Sequence, residues 1–347
     1  MKSTIFRYPK LLTLVLVFLI TGGIGYWMWF GPLPDPSDAG IRDLARWLLQ
    51  RDLVKEPRKI QLSLVNRLQT ELKSDFDLPS QRRWSNNSHD QLLRNVVFLG
   101  KVWFHDRCRQ YQQLDKPQRL PFLESQLVVV SRWSALETKL LDRQQPTSTS
   151  PSSPSTVRLF QRIKSWIDAA EGEQRVQLKQ TIQDATVCSL ATDNMADQSM
   201  EVRRDLADRI ASFLNDAGKG IGGRLELQAA HYKRLSENSL LLMEAWLINR
   251  AMEFESLSPK QEEPYLEDQL NQMKQWNLGS LLEPAAEGQS NTAPQSALAG
   301  SIKLLSRIVP HLETWISRAA PSQQEALREL IQQFQMQLIK NQFRKKP

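Results

Sequence analysis

Six residues, Gly218-Lys219-Gly220-Ile221-Gly222-Gly223, hold the spacing Gly-x-Gly-x-x-Gly. In a strand–turn–helix setting that spacing wraps backbone N–H groups around a dinucleotide pyrophosphate, with a carboxylate about twenty positions on to hold the ribose. Here Val202 to Asn215, just before the glycines, has the apolar period of a helix, and no Lys-Ser or Lys-Thr pair completes a Walker loop. The run therefore reads as a helix C-cap and connector, where glycine takes the left-handed conformation. His105-Asp106-Arg107-Cys108 gathers metal-binding side chains, yet the four histidines (His89, His105, His231, His311) form neither His-x3-His nor His-Glu-x-x-His. Glu124 and Glu267 could share acid–base work across a pseudo-two-fold; as single carboxylates on helices they read as salt-bridge or solvated groups. The signatures of serine, cysteine and kinase chemistry are missing. Aromatic residues are not interleaved with Lys and Arg, so nucleic acid is not expected as a partner. No catalytic residue, cofactor or metal is assigned.

The elements around these residues say the same thing twice. Gap-free alignment of Asn95–Trp133 with Asn238–Trp276 gives twelve identities in thirty-nine positions, against about two or three expected from composition. They are Asn95/Asn238, Leu99/Leu242, Trp103/Trp246, Arg107/Arg250, Leu114/Leu257, Gln118/Gln261, Pro121/Pro264, Leu123/Leu266, Glu124/Glu267, Gln126/Gln269, Leu127/Leu270 and Trp133/Trp276. Tyr111/Phe254 and Phe122/Tyr265 exchange one aromatic for another, and Ile248-Asn249-Arg250-Ala251 replaces the His105–Cys108 group. Upstream, Leu64, Arg67, Leu68 and Leu72 match Leu206, Arg209, Ile210 and Leu214; downstream, Trp166-Ile167, Gln174 and Leu178 match Trp315-Ile316, Gln323 and Leu327.

Apolar residues recur at helical spacing in both halves, for example Leu92, Val96, Leu99 and Trp103. Val128-Val129-Val130 is the one strand-like triplet; Asn271-Gln272-Met273 stands in its place in the other half, which favours helix. The repeated motif reads as a helix junction. Ser258-Pro259-Lys260-Gln261 is a capping box with Pro at the first helical position, and Asp115-Lys116-Pro117-Gln118 is its variant. Pro121 and Pro264, six residues past the cap, should kink the new helix. A further capping box is expected at Ser322-Gln323-Gln324-Glu325.

The expected fold is all-α, with two tandem modules of about five helices each, over 57–190 and 200–343. Polar Pro/Ser-rich loops are expected at 145–156 and 284–297, between the third and fourth helix of each module. Leu11 to Gly31 has no charge and would span about 31 Å as a helix, so it is expected to be a transmembrane signal anchor. Lys2, Arg7 and Lys10 before it then place residues 1–10 in the cytoplasm and the rest outside, starting with a linker and short helix over 32–56. The net charge of +7 is spread over interleaved Lys, Arg, Asp and Glu, with one small basic tail at 344–347. Cys108 and Cys188 both fall in the first module and Ala251 stands in the place of Cys108 in the second, so neither module needs a disulfide to fold, while an oxidising compartment would permit a Cys108–Cys188 bond.

The segment Leu…Gln…Phe/Tyr-Leu-Glu-x-Gln-Leu, over Leu114–Leu127 and Leu257–Leu270, resembles one found in uncharacterised bacterial single-span, membrane-anchored helical proteins. That resemblance implies a bacterial envelope setting and transfers no functional residue. The resulting expectation is a non-enzymatic interaction or scaffolding protein with the membrane and another envelope protein as partners. A basic binder of lipid or anionic polymer is the alternative.

Overall fold

The computed structural model of the chain describes residues 33–73, 86–141, 155–214, 224–275 and 297–344. Among these residues it is all-helical, with eleven α-helices and no strand. In order they are α1 (Ile41–Gln50), α2 (Arg58–Glu71), α3 (Asn86–Gln112), α4 (Lys116–Leu141), α5 (Ser155–Asp168) and α6 (Gly172–Thr192). Then come a 3₁₀ turn (Met195–Asp197), α7 (Met200–Leu214), α8 (Ala229–Glu255), α9 (Pro259–Gln275), α10 (Ala297–Arg318) and α11 (Pro321–Arg344). Helices α2–α6 span 58–192 and α7–α11 span 200–344, two residues and one residue beyond the expected ends at 190 and 343.

The expected single-pass location requires correction. Among the described residues no helix is long and apolar enough to cross a membrane. The segment Leu11 to Gly31, on which that location rested, lies outside the described residues.

Val128-Val129-Val130 is helical within α4, as the Asn271-Gln272-Met273 counterpart indicated. Pro121 and Pro264 sit inside α4 and α9, and both helices run on without interruption. Each is the sixth helical residue, so the bond it forfeits would go only to a first-turn carbonyl, Pro117 or Lys260. Helix α11 opens at Pro321 rather than at Ser322. Its cap is Ala320, whose N–H donates to Gln323 Oε1 at 3.3 Å.

The chain divides into two compact units, Met1–Phe104 with Arg132–Ser150, and His105–Ser131 with Pro151–Pro347. In the first, α1 turns Leu44, Trp47 and Leu48 inward, and Trp47 Nε1 also donates to the Pro34 carbonyl at 3.1 Å. Leu64 and Leu68 of α2 and Leu92, Val96 and Leu99 of α3 are buried, each at three- or four-residue spacing. Trp103 and Trp133 lie 6.3 Å apart in the same core.

In the second unit α8 is the central helix, packed on α6, α7 and α11. Its Leu235, Leu242, Trp246 and Ala251 join Val187 and Leu190 of α6 and Leu327 and Leu330 of α11 in one apolar cluster. Trp246 is fully buried, so its truncation to Ala is expected to cost about 3–5 kcal/mol.

Candidate functional site

The identical pair Asn95/Asn238 does the same work in both units. Helix α6 ends at Thr192, leaving last-turn carbonyls without helical partners. Asn238, 1 % exposed on α8, donates through Nδ2 to the carbonyls of Leu190 and Asp193, both at 2.8 Å. Its Oδ1 accepts from Met195 N–H at 3.1 Å. Asn95 of α3 treats the end of α1 alike, donating to the carbonyls of Leu48 at 2.8 Å and Arg51 at 2.7 Å. Its Oδ1 accepts from Leu53 N–H at 3.3 Å. A carboxamide suits this task because it carries two donors and an acceptor without charge.

The repeated junction places its apolar members inward and its charged ones outward. Leu123, Leu266 and Leu270 are buried; Leu114, Leu127 and Leu257 are half-buried against the same cluster. Gln269 is buried and Gln126 half-buried. Glu124 and Glu267 are exposed, and Glu267 accepts from Gln337 Nε2 of α11 at 3.4 Å. Gln261 reaches back to its cap as expected, accepting from Ser258 N–H at 3.1 Å. Ser258 Oγ donates to the same Gln261 oxygen at 2.7 Å, so the hydroxyl serves the glutamine and not the backbone. Pro121, Pro264, Gln118 and Gln261 all lie on the surface.

The exchanged aromatics form matched ring pairs. Tyr111 and Phe122 lie 6.2 Å apart at 35°, and Phe254 and Tyr265 lie 6.2 Å apart at 40°. Each hydroxyl enters a polar cluster that sequence reasoning missed. Tyr111 donates at 2.7 Å to Asp184, a wholly buried carboxylate that also accepts from Arg224 Nε at 3.0 Å. Burial pushes the Asp184 carboxyl above its ordinary value, against the pull of Arg224 and Tyr111. Burial beside Asp184 likewise raises the Tyr111 phenol. Arg119 lies over the Tyr111 ring at 5.3 Å.

In the second cluster Tyr265 donates to Glu253 at 2.9 Å, and Arg250 binds both Glu253 and Asp208 while covering the Trp246 ring. Desolvation raises Asp208. In the first cluster Tyr111 and Asp184 are 73 residues apart and Asp184 and Arg224 are 40 apart. In the second, Asp208 of α7 lies 42 residues from Arg250 of α8, while Glu253, also of α8, and Tyr265 of α9 are nearer in sequence. Chemically both clusters tie helices together: their carboxylates are already held by arginine and tyrosine.

The histidines have individual tasks. His105 Nδ1 accepts from Gln174 Nε2 at 2.9 Å, His231 Nδ1 accepts from Gln228 N–H at 3.1 Å to cap α8, and His311 stacks on Trp315. Cys108 and Cys188 are free, buried thiols, each pushed up to about 12 by desolvation. Among the described residues no three His, Cys, Asp or Glu side chains are grouped to hold a metal ion. The glycine run 218–223, Trp276, the loops over 145–154 and 284–296 and the tail 345–347 lie outside the described residues; α5 begins at Ser155, two residues inside the expected first loop. No protein-family model, no curated protein and no solved structure matches the chain.

Proposed function

We propose that this chain is a non-enzymatic helical interaction or scaffolding protein, and that α2–α6 and α7–α11 are tandem copies of one five-helix module. The observation that carries this reading is the carboxamide pair. Two asparagines 143 positions apart each supply the same three hydrogen bonds to the end of an earlier helix. A duplicated module would retain such a tie because losing it leaves buried carbonyls unpaired. The ring pairs, equal in separation and close in angle, support the same equivalence.

The interaction role follows from how modules of this kind use their residues. Helical repeats bury their faces against neighbouring helices and leave a long outer surface for partner helices or extended segments. Here the groups an enzyme would recruit, Asp184, Tyr111, Asp208 and Arg250, are engaged in holding helices. The test is in-cell cross-linking followed by affinity purification of the full-length chain. A stoichiometric protein partner is expected; recovery of no protein above background refutes the reading.

A further inference from the structure

We infer that the paired helices α2–α3 and α7–α8 are receptors for a helix end, read through its backbone, and that α1 is the built-in ligand of the first. The inference rests on the duplication proposed above and carries it one element upstream. Helix α6 closes the first module and sets its end on α7–α8; α1 sets its own end on α2–α3. The two ends keep one register. Helix α1 stops at Gln50 and α2 starts at Arg58; α6 stops at Thr192 and α7 starts at Met200. The connectors Arg51–Pro57 and Asp193–Ser199 are therefore both seven residues long.

Within that register the two bound ends have the same geometry. Arg51 and Asp193, the caps, are both extended, and each N–H donates four residues back, to the Trp47 carbonyl at 3.3 Å and the Ser189 carbonyl at 2.9 Å. Three residues before the cap, Leu48 and Leu190 are buried and offer their carbonyls to the receptor asparagine. Two residues after it, Leu53 and Met195 are buried and give that asparagine their N–H groups. One turn upstream of the asparagine, Gln91 donates to the Arg51 carbonyl and Arg234 to the Asn194 side chain, both at 3.1 Å.

The side chains between these points are not shared. Arg46 and Trp47 stand where α6 has Cys188 and Ser189, and Leu48/Leu190 is the one identity between 41–53 and 183–195. What the two ligands have in common is last-turn backbone, which any sequence carries, and buried apolar residues at 45, 48 and 53 or 187, 190 and 195. The partner that fits is thus a helix ending in extended backbone, with an apolar residue three positions before the cap and another two positions after it. Helix α1 has ten residues, too few to be stable alone in water, against twenty-one in α6. It is the bound end of such a helix without the rest, and it closes the first receptor from within the chain.

The test is a lengthened chain in which residues 1–199 run directly into residues 58–347. It holds the whole protein and one added module, and sets the end of α6 on a second α2–α3 pair. Hydrogen exchange is read on the peptide that runs from α6 through Met195 and Ser199 into Arg58, whose mass is unique. The Met195 N–H there should exchange within about tenfold of its rate in the natural chain, and about a hundredfold or more faster when the following copy carries Asn95→Ala. An unprotected junction, an added module that does not fold, or protection that Asn95→Ala leaves unchanged overturns the inference. In the natural chain, Leu53→Met, the residue α6 uses there, should keep exchange at position 53 within about tenfold, while Leu53→Asp should speed it about a hundredfold or more. Equal effects of the two also overturn it. The cross-linking experiment decides separately: capture of no partner refutes the interaction role and leaves the receptor standing, and an unprotected junction does the reverse.

Discussion

Replacing Asn238 with alanine should remove three hydrogen bonds at once. The Leu190 and Asp193 carbonyls lose a donor at 2.8 Å each, and Met195 N–H loses an acceptor at 3.1 Å. With the side chain 1 % exposed, water has little access to the orphaned groups. Each bond contributes about 1 kcal/mol net, and groups left buried without partners add to that, so the loss should be about 3–4 kcal/mol. Asn238→Asp should cost more, because it turns the donor into an anion facing two carbonyl oxygens. Asn95→Ala, with bonds of 2.8, 2.7 and 3.3 Å, should match Asn238→Ala within about 1 kcal/mol. The assay is amide hydrogen exchange at Met195 and Leu53, alongside urea denaturation followed by circular dichroism. Exchange at Met195 should accelerate about a hundredfold or more in the Asn238 variant. A stability loss under about 1 kcal/mol with Met195 exchange unchanged would refute the claim that the carboxamide ties α6 to α8.

Other consequences are equally direct. Asp184→Ala leaves Arg224 without its anion and Tyr111 without its acceptor, and should cost about 3–5 kcal/mol in urea denaturation. Because burial raises the Asp184 pKa from 3.8, the folded state holds that proton more tightly than the unfolded chain. Its contribution is therefore full below pH 3.8 and lost as pH rises through the folded value, so Asp184→Asn should show a flatter stability–pH curve than wild type; a parallel curve contradicts this. Cys108 and Cys188, with thiols near 12, should be about one part in ten thousand thiolate at pH 8. Iodoacetamide should label them only in denaturant, and native labelling of either, read by mass spectrometry, contradicts their burial. Gln261→Ala should cost only about 0.5–1 kcal/mol by thermal denaturation, since the α9 cap it completes is exposed.

Much of the helical plan was legible because burial imposes a period on the sequence. Leu92, Val96, Leu99 and Trp103 show it directly, and comparison with Asn271-Gln272-Met273 resolved the valine triplet of α4. The asparagine pair was visible as an identity, yet its task was not. Its partners are backbone carbonyls of α1 and α6, which any residue provides, so nothing in the side chains there announces them. The Tyr111–Asp184–Arg224 cluster was hidden for another reason: its members come from α3, α6 and the segment just before α8, brought together only by packing. His231 caps α8 from a Gln-x-x-His arrangement that fits none of the common capping signatures. The cap of α11 was misplaced by two residues, Ser322 for Ala320, because Ser322 is the better side-chain cap, while Pro321 at the first helical position decided the start.

The two ring pairs carry one more consequence, concerning how the proposed copies differ. In each pair one ring bears a hydroxyl and the other does not, and the bearer differs: Tyr111 on α3, Tyr265 on α9. The ring centroids lie 6.2 Å apart in both. Under the proposed duplication, a single oxygen atom has changed position while the ring separation stayed the same. The ring packing is then the feature shared by the copies, and the polar partners are the feature that differs. After the proposed duplication, each copy could acquire its own internal wiring, Asp184 with Arg224 in one and Glu253 with Arg250 in the other, without passing through a misfolded ancestor.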